Sequence, residues 1–272
     1  MMAPLEDTTD NALRELCFRH GADLTFTPMA RLSGLVRRNK STEKKIEILN
    51  QVPTQIQLAA HMEHELQAFL DTFEPKNGFR GINFNLGCPS PNFIKEGLGC
   101  VLIKRVSKVK RLVDMVKNKG YPCSVKLRLG ANQFEKDMKV YLNLIKGVDA
   151  DFFIVHARHG KQHYEAKPDY NAYPECVATG KNIIANGNID SREKVALLKS
   201  MGVKGVMIGR SGVKNPSIFN YLKGRQFTDS SILKQEYLEL EKICPAENSR
   251  YMMNVLRRLG HKIVTDDGHV RG

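Results

Sequence analysis

The residue of this chain most able to do chemistry is a cysteine in a telling setting. Residues 81–102 read G-I-N-F-N-L-G-C-P-S-P-N-F-I-K-E-G-L-G-C-V-L. Ile82, Phe84 and Leu86 alternate as a buried strand requires, and Gly87-Cys88-Pro89 then break the pattern. Prolines and glycines continue to Gly99, so the thiol is thrown from a strand end into a loop beside Asn85. A free thiol, with an ordinary pKa near ~8.5, is mostly protonated at neutral pH and can act as a general acid. The plainer reading is a packing cysteine, because free thiols are usually small core hydrophobes. Other residues have to decide between the two.

Further polar residues stand at the ends of other apolar runs. Lys126 and Arg128 punctuate C-S-V-K-L-R-L-G, and His156 and Arg158 close D-F-F-I-V-H-A-R. Asn186, Gly187 and Asn188 follow I-I-A, while Gly209 and Arg210 follow G-V-M-I. Gln57 lies in P-T-Q-I-Q-L-A-A, and Pro4 and Leu5 end the N-terminal stub. Packing alone does not place polar groups at one end of run after run. Arg210 presents a fork of donors next to glycines that admit close backbone approach, which is the chemistry of a phosphate site. Lys126 offers a cation, and His156 and Gln57 can hydrogen-bond a ring rich in carbonyls and nitrogens.

Elements must hold these residues together. Hydrophobic patterning predicts strands near 1–5, 23–27, 53–60, 81–86, 122–130, 151–156, 182–187 and 205–210. Helices are expected over 10–20, 42–49, 63–73, 106–119, 135–146, 169–179 and 191–200. Strands and helices alternating every roughly 25–30 residues predict an α/β fold, a (β/α)8 TIM barrel, with functional residues at the C-terminal strand ends. A six-stranded Rossmann sheet is the competitor, and the lack of G-x-G-x-x-G after the first strand counts against it. The barrel domain is expected over 1–223. A short helical region over 224–272 follows, with helices at 232–244 and 248–259 and a basic tail.

The 272 residues are 42% hydrophobic, enough for a large core, and contain no apolar run of the ~20 residues needed to cross a bilayer. The first residues lack the pattern of a secretory signal. Cysteines at 17, 88, 100, 123, 176 and 244 form no C-x-x-C pair, which disfavours a zinc site or redox dithiol. No metal is expected, and reduced thiols in the cytoplasm are. The net charge of +13 attracts polyanions such as nucleic acid or phosphorylated substrates. Basic clusters lie at Arg37-Arg38, Lys104-Arg105, Lys108, Lys110-Arg111 and Arg257-Arg258, although solvated helix faces carry such clusters too.

The ordered set Ala3-Pro4, Asn85-Leu86-Gly87-Cys88-Pro89 with Gly97 and Gly99, Lys126-x-Arg128-x-Gly130, His156-x-Arg158, Ala185-Asn186-Gly187-Asn188 and Gly209-Arg210 with Asn215-Pro216 resembles the tRNA-dihydrouridine synthase family. The resemblance spans residues 1 to about 222. It implies an FMN-containing TIM barrel that uses NADPH to reduce selected uridines of tRNA. By position, Pro4 and Leu5 are then expected beside the isoalloxazine, and Gln57, Lys126 and His156 at the flavin ring or ribityl chain. Asn186, Gly187, Asn188, Gly209 and Arg210 are expected to hold its phosphate end. The resemblance further implies that reduced FMN would supply hydride for uracil C6, that Cys88 is the expected proton donor to C5, and that Asn85 and Arg158 are expected to hold the flipped base. A monomer with tRNA as partner and no membrane association is expected.

The chain departs from the family pattern in several places. Leu5 stands where methionine is usual, Asn83 where an acidic residue is often found, and Ala60 where a glycine is. The region after Gly224 is shorter than the family's usual tRNA-binding helical domain. Competing readings are an FMN-dependent dehydrogenase of a small pyrimidine, a flavin-free Schiff-base aldolase using Lys126, and a catalytically inactive tRNA-binding barrel.

Overall fold

A computed structural model describes residues 1–246 and 248–261, with the backbone of 263–264 and 270–271. The basic tail expected beyond Leu259 falls largely outside the described residues. Eight short strands form one sheet: β1 (Thr25–Phe26), β2 (Ala30–Arg31), β3 (Thr54–Ala59), β4 (Phe79–Leu86), β5 (Cys123–Arg128), β6 (Phe152–His156), β7 (Ile183–Asn186) and β8 (Gly205–Met207). They pair in parallel in the order β1-β3-β4-β5-β6-β7-β8, and β2 extends the β1 stave along β3 past the Pro28 interruption.

The N-terminal stub closes the curled sheet. Met2 bridges Ile208 in parallel on one side, and its N–H donates to Leu24 O at 2.9 Å on the other. The expected (β/α)8 barrel is therefore the architecture, with residues around Met2 as its first stave. Strands β5, β6 and β7 are buried over almost their whole lengths, which is why they read as apolar runs rather than as clean alternation.

Register sets which polar residues share a level. Arg128 pairs with His156, His156 with Asn186, and Asn186 with Met207, forming one row near the C-terminal mouth. Two side-chain levels lower on neighbouring strands, Gln57 pairs with Asn83 and Asn83 with Ser124.

The helices follow their capping residues. Asp10 accepts from Leu13 N–H at 2.7 Å to start Asn11–Arg19, and Ser191 accepts from Lys194 N–H to start Arg192–Ser200. Three expectations are corrected. The helix predicted over 42–49 is Lys40–Lys45, capped by Asn39, and ends where Ile46 folds back into a turn. The single helix predicted over 135–146 is two, Gln133–Asp137 and Val140–Gly147, separated by Lys139 at φ +52°. The loop after Cys88 is not featureless: Pro91 at a first helical position starts Pro91–Lys95, and a 3-10 turn follows over Gly99–Lys104.

Beyond Gly224, helices Ser230–Ile243 and Ser249–Arg258 bury Leu233, Tyr237, Leu240, Tyr251 and Val255. They hold to the barrel through polar contacts as well. Tyr237 Oη is hydrogen-bonded to Asp10 Oδ2 at 2.8 Å, and Asn254 donates to Asp7 O at 2.9 Å. No helix among the described residues is long and apolar enough to cross a membrane.

Candidate active site

A cavity of about 310 Å³ opens at the C-terminal mouth of the barrel, at the small end of the range for small-molecule sites. Its wall gathers Pro4, Leu5, Lys126, His156, Arg158, Asn186, Gly187, Asn188, Gly209 and Arg210 from five segments of the chain. Each reaches it by register and turn geometry. Gly187 adopts φ +125°, and a Cβ there would stand 3.1 Å from His156 Cδ2, so glycine is what lets the turn lie against the imidazole. Asn188 follows at φ +47°, and its Oδ1 accepts from Arg210 Nη2 at 2.8 Å. Gly209 is under no such constraint, because an added Cβ would meet Ala3 and Leu5 only at ordinary contact distances. Asn186 faces the wall of its neighbour strand, donating to Met207 O at 2.8 Å.

The cavity is electropositive. Lys126 Nζ makes no hydrogen bond or ion pair among the described residues. Burial, with repulsion from Arg128 added, lowers its pKa to about 8. His156 is buried and held well below its ordinary pKa, first by desolvation and then by Lys126, Arg128, Arg158 and Arg210. It is therefore a neutral imidazole near pH 7. Arg158 Nη1 lies 3.1 Å from His156 Nε2 and can only donate, so Nε2 is the acceptor and Nδ1 carries the ring proton.

Arg158 itself is fully buried. Its remaining donors go to the loop after β6, with Nε to Ala166 O at 2.8 Å and Nη2 to Tyr164 O at 2.9 Å. That loop carries Tyr164 over the cavity. The Arg210 guanidinium stands 4.6 Å from its ring centroid and that of Arg128 5.6 Å, while the His156 ring stacks on it at 6.0 Å. Tyr164, Glu165 and Lys214 line the cavity and were not singled out from sequence. An aromatic residue inside the polar stretch H-G-K-Q-H-Y-E-A-K was the available signal for Tyr164.

Cys88, Asn85 and Gln57 lie at the same strand ends but off this cavity wall. Asn85 Oδ1 accepts from both Gly87 N–H and Cys88 N–H at 3.0 Å, fixing the start of the loop. The Cys88 carbonyl accepts from Cys100 N–H at 3.1 Å. Cys88 packs beside Met29, Ala59, Phe93 and Leu98, yet its side chain is half-buried, whereas the other five cysteines, all free, are buried. Gln57 is buried beneath the loop, its amide shared between Asn83 and Asn85.

The donor set suits a flat, multiply hydrogen-bonding ligand with an anionic end. Lys126, neutral His156 and Asn186 provide graded donors and acceptors, and Arg210 with the Gly187–Asn188 turn provides a cationic rim. A second concavity beside the Cys88 loop is lined by His61, Ile94, Gly97, Lys104, Arg105 and Lys108. Lys104 pairs with Glu135 there, while Arg105 and Lys108 carry no ion partner among the described residues.

A family profile described as dihydrouridine synthase (Dus) matches residues 1–264. A probable tRNA-dihydrouridine synthase of Helicobacter pylori is 28% identical over 249 residues, covering 86% of this chain and 73% of that protein. One from Aquifex aeolicus is 26% identical over 278 residues, covering 94% and 86%. tRNA-dihydrouridine synthase B of Vibrio cholerae is 27% identical over 227 residues, covering 82% and 70%. Among solved structures, a variant of NCR from Zymomonas mobilis superposes with a TM-score of 0.51 at 16% identity, over 91% of this chain and 93% of that one. Morphinone reductase in complex with tetrahydroNAD gives 0.51 at 12% identity, over 84% and 87%. At such identities the structures speak to the barrel fold alone.

Proposed function

Because the chain belongs to the dihydrouridine synthase family, we propose that it reduces uridines of tRNA to 5,6-dihydrouridine, with FMN as cofactor and NADPH as reductant. The observation that carries this reading is the pairing of an electropositive cavity at the barrel mouth with a half-exposed thiol on an adjoining, backbone-clamped loop. Lys126, His156, Asn186, Gly187, Asn188, Gly209 and Arg210 would hold FMN, with Pro4 and Leu5 against its ring. Bound and reduced, that group would supply hydride-transfer chemistry, for which uracil C6 would be the acceptor. The protein's own part is the proton at C5, for which the Cys88 Sγ–H is the donor. Asn85 and Gln57 hold that thiol's backbone in place, and Arg158 fixes the loop that carries Tyr164 over the cavity.

The base must leave its stack to reach such a site. The net charge of +13 and the concavity of Arg105, Lys108 and His61 beside the Cys88 loop suit the phosphates flanking a flipped nucleotide. Reduced thiols, a cytoplasmic setting and a monomer are consistent parts of this reading.

The test is reduction of unmodified tRNA by purified protein with NADPH, with dihydrouridine read by nucleoside mass spectrometry. Wild type is expected to form the product. Cys88→Ala is expected to bind flavin and accept hydride from NADPH while forming none. Dihydrouridine at the wild-type rate from Cys88→Ala would remove the proton-donor role. Reduction of free uracil or orotate but not of tRNA would replace the tRNA reading with that of a small-pyrimidine enzyme.

A further inference from the structure

A chain of side-chain hydrogen bonds crosses the barrel beneath Cys88. Asn85 Oδ1 receives the Gly87 and Cys88 N–H groups, and Asn85 Nδ2 donates to Gln57 Oε1 at 2.8 Å. Gln57 Nε2 donates to Asn83 Oδ1 at 2.7 Å, and Asn83 Nδ2 to Ser124 Oγ at 2.7 Å. Ser124 Oγ donates to Gln55 Oε1 at 2.5 Å, and Gln55 Nε2 ends the chain on Arg80 O at 3.0 Å.

The polarity of this chain admits one direction. At its upper end stand two backbone N–H groups, which only donate; at its lower end stands a backbone carbonyl, which only accepts. Every carboxamide between them is thereby oriented, because reversing any one would set donor against donor. Gln55, Gln57, Asn83 and Ser124 are at most 2% exposed, so bulk solvent has little access to the links between them. A buried amide that loses its partner is costly and turns to find another. A change at the middle of the chain is therefore felt at its end.

We propose that Asn83 is a positioning residue for the Cys88 loop, acting through Gln57 and Asn85. Asn83 touches neither the cavity nor the loop. Its carboxamide both accepts and donates, which an acidic side chain ionised at this position cannot do. Asn83→Leu leaves Gln57 Nε2 without an acceptor. The Gln57 amide then loses the bond that fixes its orientation and can pivot, so its Oε1 no longer holds Asn85 Nδ2 firmly and Asn85 Oδ1 is less firmly aimed at the Gly87 and Cys88 N–H groups. Asn83→Asp still accepts from Gln57 Nε2 and leaves the upper links whole. That the loop's placement matters for catalysis rests on the proposed role of Cys88; the relay itself does not.

The experiment is amide hydrogen exchange at Gly87 and Cys88, resolved by NMR, in wild type and both variants. Asn83→Leu is expected to exchange about tenfold faster at these two amides, and Asn83→Asp within about threefold of wild type, the scale of one net hydrogen bond. Ladder amides of Val125 and Leu127 serve as controls and are expected to stay unchanged. Unchanged exchange at Gly87 and Cys88 in Asn83→Leu overturns the proposal, as does equal acceleration in both variants at loop and ladder alike. If Asn83→Leu does not fold, Ser124→Ala removes the acceptor of Asn83 Nδ2 together with the donor to Gln55 Oε1, leaves the Gln57 and Asn85 links themselves in place, and is expected to speed the same two amides about threefold; no change there overturns the proposal. Uridine reduction is followed in parallel and is expected to fall about tenfold in Asn83→Leu, with flavin reduction by NADPH retained. Exchange that responds as expected in a protein that forms no dihydrouridine supports the relay and overturns the functional reading instead.

Discussion

Gly99 lies against the main chain of Cys88 so closely that a Cβ built on it would stand 2.3 Å from the Cys88 carbonyl oxygen. Gly99 also sits at φ +68°, where an L side chain is strained, and the next residue, Cys100, donates its N–H to the same carbonyl at 3.1 Å. The loop that presents the thiol thus returns to clamp it from below. Gly99→Ala should displace Cys88 while leaving the cavity across the barrel mouth untouched. The expected outcome is a loss of uridine reduction of about 10²-fold, the effect of a misplacement near 1 Å, with flavin content unchanged. Wild-type rates of dihydrouridine formation from this variant would show that the loop tolerates the shift.

Lys126 supplies a cation whose charge can be titrated near the working range. Its pKa is lowered to about 8 by burial and by Arg128, and it has no ion partner among the described residues. Below that pH the free protein offers an anionic ligand a full positive charge; above it, binding requires proton uptake. Above the second ionisation of the FMN phosphate, at about pH 6, affinity should therefore be flat between about pH 7 and 8 and fall as pH rises beyond it. Lys126→Met should weaken binding at pH 7 by about tenfold and flatten the alkaline fall. Fluorescence titrations of FMN from pH 6 to 10 measure both, and an alkaline fall that persists in Lys126→Met would assign it to another group.

Arg210 is held in place by Asn188 Oδ1 at 2.8 Å and lies over the Tyr164 ring, so its remaining donors are aimed rather than free to wander. Removing it should weaken FMN by about 10–100-fold, the loss of a charged hydrogen-bonding partner. Arg210→Lys keeps the charge but not the planar fork, and is expected between wild type and Arg210→Ala. Flavin retained at full occupancy through purification of Arg210→Ala would count against a phosphate role.

The barrel was legible because β6 and β7 are buried on both faces and write that burial into unbroken apolar runs. Polar ends such as His156, Asn186 and Arg210 were legible for the same reason, standing out where those runs stop, and they converge on one cavity. What local patterning could not carry was set by distant partners. Closure of the sheet depends on Met2 meeting both Leu24 and Ile208. Lys139, at φ +52°, breaks a helix that its residue type gives no reason to break. Tyr164 reaches the cavity because Arg158 is buried under its loop and holds the carbonyls of Tyr164 and Ala166. Gln57 reads from position as a cavity residue, but its two amide atoms are engaged by Asn83 and Asn85 from the next strand.

The seam between the barrel and the C-terminal helices carries a proton-counting problem that makes stability depend on pH. Tyr237 Oη lies 2.8 Å from Asp10 Oδ2 and 3.0 Å from Glu241 Oε1, yet its single proton can serve only one of them. The other contact needs a protonated carboxyl. Burial, with the charge of Glu241 added, pushes Asp10 up to about 7 against the lowering effect of the Leu13 N–H, so Asp10 is the group that keeps the proton. An acid whose pKa is raised on folding binds protons more tightly in the native state. Its contribution is complete below an unfolded pKa of about 4 and is lost as pH climbs through about 7. Asp10→Asn mimics the protonated form: Oδ1 still caps Leu13, Nδ2 donates to Tyr237 Oη, and the Tyr237 proton is left for Glu241. The variant should lose the stability slope between about pH 4 and 7 and gain about 2–4 °C in Tm at pH 8, roughly 1 kcal/mol. Thermal unfolding of both proteins at pH 5 and pH 8 decides the matter: a Tm difference between the two pH values that is as large in Asp10→Asn as in wild type would place the titrating group elsewhere.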